Sequence, residues 1–178
     1  MPFEKHLPKT LCEHDFNTDV AHFLKSQIER DNLNIVLIGE SGKTTMMNNL
    51  IADYFCGYDK IDSNIMHINI LNEHGTAFFR NNLTVFCQVN SCIPTRKKEV
   101  RIDNLDMISE QNQYVIRGLF DKYGHNVHFV CSANTCTRII EQLQSRLTLL
   151  KLNTPSLKVM SQILNRVARH HRLKLSKE

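Results

Sequence analysis

Asn34-Ile35-Val36-Leu37-Ile38-Gly39-Glu40-Ser41-Gly42-Lys43-Thr44-Thr45 decides how the chain is read. Four apolar residues are followed by a turn bracketed by glycines. A helical pattern then begins at Lys43. Strand, tight loop and helix with Gly-Lys-Thr at the junction is the layout of a P-loop. In such a loop, backbone N–H groups and a helix N-terminus cradle phosphates, the lysine reaches the β/γ-phosphates, and the threonine hydroxyl holds magnesium. The usual spacing is G-x-x-x-x-G-K-[ST]. Here Gly39 and Gly42 enclose only Glu40 and Ser41, so the loop is two residues short.

Apolar spacing extends the pattern in both directions. Upstream, residues 1–12 carry two prolines and read as an extended arm. Val20, Phe23, Leu24 and Ile28 mark a helix from Asp15 to Glu29. Downstream, Met46, Met47, Leu50, Ile51 and Tyr54 mark the buried face of a helix running to Phe55. Strands are expected over Ile65–Ile70, Glu99–Ile102, His128–Ser132 and Thr148–Leu152. Helices are expected over Ala77–Val89, Glu110–Tyr123 with Ser109 as N-cap, and from about Ser156 to His170, with a helical turn or short helix over Thr137–Gln144. Alternating strands and helices predict an α/β fold, a parallel sheet of about five strands covered on both faces. Ligands of such sheets lie beyond the carboxyl ends of the strands. Three polar signals fall there: the Gly-Lys-Thr turn, Asp103 to Asp106, and Asn134.

The bulk properties set outer limits. A chain of 178 residues is one domain, or one and the start of another. A net charge of +4 permits a nucleic-acid partner without requiring one. No apolar run is long enough to span a membrane, and the first residues lack a signal peptide's apolar core. An intracellular protein is expected. The six cysteines form no C-x-x-C pair and read as reduced thiols rather than metal ligands.

Val100-Arg101-Ile102-Asp103-Asn104-Leu105-Asp106 places an acid at the end of an apolar strand. It reads either as a Walker B aspartate supporting magnesium or as a cap of the next turn. The Gly-Lys-Thr loop upstream favours the first.

Taken together, the segments resemble the small subunits of sliding-clamp loaders, the replication factor C type of AAA+ ATPase. Phe3 to Leu11 resembles the opening W-x-E-K-Y-R-P-x-T-L box. Met66 to Gln88 resembles the E-L-N-A-S-D-D-R-G-I-D-x-V-R segment, with Asn69, Gly75, Arg80 and Phe86 in register. Val100 to Ser109 resembles the L-D-E-A-D box, and Gln113 to Tyr123 the helix after it, with Arg117 at an arginine position. Val130 to Asn134 resembles the sensor 1 strand. Ile139 to Arg146 resembles I-I-x-x-I-Q-S-R-C.

The resemblance implies an AAA+ three-layer fold over residues 1–153, the start of a helical lid over 154–178, and no collar domain. It implies ATP and Mg2+ as cofactors. Gly39, Glu40, Ser41, Gly42, Lys43, Thr44, Thr45 and Pro8 would line the nucleotide, and Thr44 and Asp103 would hold the metal. Asn134 would orient the attacking water, and Arg146 would reach the nucleotide of a neighbouring subunit. Arg80 would face DNA, although a solvated helix arginine explains it equally well. The implied partners are other clamp-loader subunits, a sliding clamp and primer-template DNA.

Four departures qualify this. The loop is short. Asn104 replaces the catalytic glutamate, and an amide cannot accept a proton as a general base must. His6 and Leu7 replace tyrosine and arginine in the opening box. The chain stops within the lid, before its sensor 2 arginine. These changes point to a subunit with little or no ATPase activity of its own, and the short, drifted form suggests a compact genome such as that of a large DNA virus, with the nucleus or a cytoplasmic site of viral DNA replication as the expected location. Two other readings stand beside this one: a small P-loop nucleotide kinase, and a replication scaffold without enzymatic activity.

Overall fold

The computed structural model describes residues 8, 10–13, 17–59, 61–69, 76–155 and 157–170. The opening box from Phe3 to Leu7, the break at 72–75 and the residues after 170 lie outside the described residues.

Five strands form one parallel sheet: β1 (Ile35–Ile38), β2 (Ile65–Asn69), β3 (Lys98–Asp103), β4 (Val127–Ala133) and β5 (Thr148–Lys151). Their spatial order is β2-β3-β4-β1-β5. Every residue of β4 is buried, which is why that segment reads as a continuous apolar run rather than an alternating one.

Helices cover both faces. On one side, α1 (Thr18–Glu29) and α2 (Lys43–Tyr54) place Leu24, Met46, Met47, Leu50 and Tyr54 against Ile35, Leu37 and Val130. On the other, α3 (Thr76–Arg80), α4 (Asn82–Gln88) and α5 (Glu110–Tyr123) place Phe79, Leu83, Ile116 and Leu119 against Val36, Ile68, Val100 and Phe129. The expected three layers are present. The arm is fastened to α2 by side chains: Asn49 Nδ2 donates to the Pro8 carbonyl (2.9 Å), and Leu11 N donates to Asp53 Oδ2 (3.1 Å).

One helix differs from the spacing-based expectation. The stretch from 77 to 89 divides at Asn81 into α3 and α4. Adjacent asparagines (Asn81, Asn82) compete with helical hydrogen bonding through their own amides. Between 137 and 144 there is the expected short helical turn, α6 (Glu141–Gln144). The preceding loop is held by Gln144 Nε2, which donates to the carbonyls of Cys136 (3.0 Å) and Ile139 (2.6 Å). Ser109 occupies the N-cap position of α5 but makes no side-chain cap bond. The last helix, α7 (Leu157–His170), follows the sheet as expected.

Candidate functional site at the carboxyl edge of the sheet

β1 sits between β4 and β5, so the loop leaving it emerges between the ends of those two strands. Its strand-to-helix turn is four residues, 39–42. Gly42 takes a left-handed backbone (φ 82°), which a side chain would strain. Gly39 passes so close to Leu152 that an added Cβ would lie 3.1 Å from its carbonyl oxygen.

The short turn brings Lys43 inward. Its side chain is buried, and its Nζ donates to the carbonyl of Gly39 and to Asn134 Oδ1 (2.8 Å). The turn and the loop after β4 are thus tied across the strand edge by the lysine. Glu40, Ser41 and Thr44 are exposed, and Thr45 is half-buried.

Asn134 is held from behind. Its backbone N–H, and that of Thr135, donate to Asp106 Oδ2 (3.2 and 3.4 Å). Asp106 is buried; its Oδ2 holds this turn, while its Oδ1 has no hydrogen-bond partner. Asn104 adopts a left-handed backbone (φ 57°), and its N–H donates to Ser132 Oγ (3.1 Å). Asparagine tolerates that conformation better than most residues.

Asp103 ends β3 as the sequence implies, with unexpected neighbours. Its Oδ2 accepts from Arg101 Nη2 (3.1 Å) and His67 Nε2 (2.7 Å), and its Oδ1 from Ser132 Oγ (3.3 Å). Arg101 is itself bonded through Nη1 to Asn48 of α2. Residues two apart on a strand share a face, which puts Arg101 beside Asp103. Register puts His67 opposite Arg101.

Arg146 lies in the turn before β5, in reach of α5. Its guanidinium grips Asp121 with Nε (2.5 Å) and Nη2 (3.1 Å), while Arg117 holds the same carboxylate (3.2 Å). The Arg146 bond holds the Asp121 carboxyl below its usual range. Arg80 is exposed at the end of α3. Pro8 contributes its carbonyl to Asn49.

The implied cofactors can be tested against these contacts. A buried ammonium at a helix N-terminus suits a phosphate, which would have to draw Lys43 away from Gly39. The metal does not fit: Asp103 already carries a guanidinium and an imidazole. Among the described residues, no group of three or more His, Cys, Asp or Glu could hold a metal ion.

Three contributors escaped the sequence reading: Arg101, His67 and Gln113. Gln113 is fully buried and donates to the carbonyls of Ile108 (3.0 Å) and Arg138 (2.9 Å), and accepts from Ile140 N (2.9 Å). It fixes the loop that leads to Arg146. A polar residue in an otherwise apolar helical stripe was its only signal.

No protein-family model matches the chain. Curated relatives do. A replication factor C small subunit of Thermoplasma acidophilum is 25% identical across 98% of this chain and 55% of its own length. That of Archaeoglobus fulgidus is 26% identical over the same shares. The chain is similar to replication factor C small subunits. It spans about half the length of the curated relatives it matches. Among solved structures, a Thermotoga maritima RuvB superposes with a TM-score of 0.72 at 15% identity, over 96% of this chain and 56% of that one. A DNA polymerase III gamma subunit-related protein from Thermotoga maritima gives 0.64 at 15% identity, over 85% and 57%. The chain shares its α/β fold with these neighbours. Among the described residues, no helix is long and apolar enough to cross a membrane.

Proposed function

We propose that this chain acts in DNA replication as a clamp-loader small-subunit-like protein. It assists ATP-dependent loading of a sliding clamp on primed DNA while hydrolysing little or no ATP itself. Similarity to replication factor C small subunits across 98% of the chain is the observation that carries this reading.

In this role Arg146 serves a neighbouring subunit. A guanidinium supplied in trans spreads charge over the developing phosphoryl group, an effect worth roughly 10³–10⁵ in rate where it operates. Arg146 sits on a turn at the rim of the fold, its side chain partly exposed, and leaves Asp121 to reach the partner's nucleotide. The chain's own edge is the weaker half: a short loop, an amide at Asn104, and an Asp103 already bonded by three side chains of the chain itself. Lys43, Thr44 and the loop from Gly39 to Gly42 contact phosphate if nucleotide enters. Arg80 contributes to the DNA-facing surface. Partners are other clamp-loader subunits, the clamp and primer-template DNA.

The test is a reconstituted assembly. Arg146→Ala is expected to lower the ATPase rate of the partner subunit, and an unchanged rate removes the role. The purified chain with ATP, Mg2+ and primed DNA is expected to show no turnover. Turnover that vanishes on Asp103→Ala would mean the chain is an ATPase in its own right. The engagement of Asp103 also favours a second reading, a replication scaffold that binds partners without contributing to hydrolysis. Co-purification with clamp-loader subunits but an Arg146-independent rate would select it.

A further inference from the structure

The acid at the end of β3 has almost no capacity left for a metal ion. A carboxylate offers about four lone-pair sites. Arg101 Nη2 and His67 Nε2 take both on Oδ2, and Ser132 Oγ takes one on Oδ1. Arg101 cannot readily step aside. Its side chain is 10% exposed, lies under α2, and is anchored at the other end of its fork by Asn48 Oδ1. Its Nε has no hydrogen-bond partner and lies buried. The guanidinium therefore depends on Asp103 and Asn48 for its compensation, and a buried charge that loses its partner is strongly destabilising.

A divalent ion approaching Oδ2 would meet a fixed positive charge bonded to the same oxygen. Like charges at such separations in a poorly solvated site repel by several kcal/mol at an effective dielectric near 20. The electrostatic demand of the Asp103 carboxylate is already met by a protein cation. We propose that Arg101 is a resident counter-cation that takes the place of a divalent metal at Asp103, so that this edge of the sheet holds its shape without Mg2+. This deepens the reading above and rests on its assignment of Asp103 as the P-loop acid. The tests need no clamp-loader partner, so they stand or fail separately from it.

Two measurements decide the matter. Free Mn2+, followed by its electron paramagnetic resonance signal, is titrated with the purified wild-type chain at millimolar metal. No loss of the free-ion signal is expected, and saturable binding would overturn the proposal. Thermal unfolding is then compared in EDTA and in Mg2+, for the wild type, Asp103→Asn, Arg101→Met and the double variant. The wild-type Tm is expected to be the same in both. Each single change is expected to lower Tm by roughly 10 °C, and the double variant by less than the sum. An Asp103→Asn Tm at or above wild type would overturn the proposal, since a carboxylate waiting for a metal gains from neutralisation. Should the single variants fail to fold, the Mn2+ titration of the wild type decides alone.

Discussion

The ammonium of Lys43 lies 2.8 Å from the amide oxygen of Asn134, closing the carboxyl edge from the turn after β1 to the turn after β4. Two residues that the resemblance assigns to a nucleotide hold each other. Lys43→Met is therefore expected to destabilise the chain by about 1–2 kcal/mol, because two partly buried bonds lose their charged donor. A urea unfolding midpoint checks this; a midpoint equal to wild type would mean the lysine waits for phosphate and has no structural part. Asn134→Ala, at an exposed position, is expected to cost under about 1 kcal/mol.

Gln113 is the keystone of the loop that carries Arg146. Gln113→Leu keeps the volume and strands three backbone groups inside the fold. A loss of about 3 kcal/mol is expected, with faster amide exchange at Ile140. Exchange protection that survives the substitution would show that the loop stands without this side chain.

Asp121 is shared by Arg117 and Arg146 at the surface. Surface ion pairs contribute little to stability, so Asp121→Asn is expected to leave Tm nearly unchanged. Its consequence is expected in the assembly, where an Arg146 released from its carboxylate engages the partner more readily. The partner ATPase should rise or hold. A fall to the level of Arg146→Ala would mean that Asp121 presents the arginine rather than restrains it.

Glu99 supplies a pH signature. It is wholly buried with neither carboxyl oxygen hydrogen-bonded, and burial pushes its pKa up to about 8, opposed by Arg96 and reinforced by Asp31. Across the strand, His128 is buried too, and burial together with Lys97 pushes its pKa down to about 4, against the pull of Asp31. Between the unfolded and folded Glu99 values the native state holds a proton that the unfolded chain has lost, so stability falls as pH rises. His128 acts with the opposite sign, but only below its unfolded value, near pH 6.5. The net expectation is a loss of stability from about pH 6.5 to about pH 8. Glu99→Gln should raise Tm at the upper end of this window and much less near pH 5. Parallel Tm profiles for the two proteins would count against the buried proton.

The strands and the P-loop were legible because they rest on local patterns: an apolar run, a glycine pair, a lysine at a helix start. The site's actual wiring was not. Arg101 and Asp103 share a face by simple parity, which the sequence displayed. His67 joins them only because β2 lies beside β3, and Ser132 only because β4 lies on the other side. Strand order is a property of the whole fold, so no reading of Ile65–Asn69 alone reaches it. The split at Asn81 was hidden for a different reason: the apolar stripe of Phe79, Leu83 and Phe86 continues through it while the asparagine amides work against it.

Asn17, just before α1, accepts from the backbone N–H of Asn153 (2.9 Å), 136 positions away and just beyond β5. During synthesis the N-terminal segment emerges long before its partner. This bond can close only after the ribosome has delivered the fifth strand, so the entry to α1 is completed by one of the later parts of the sheet to be made.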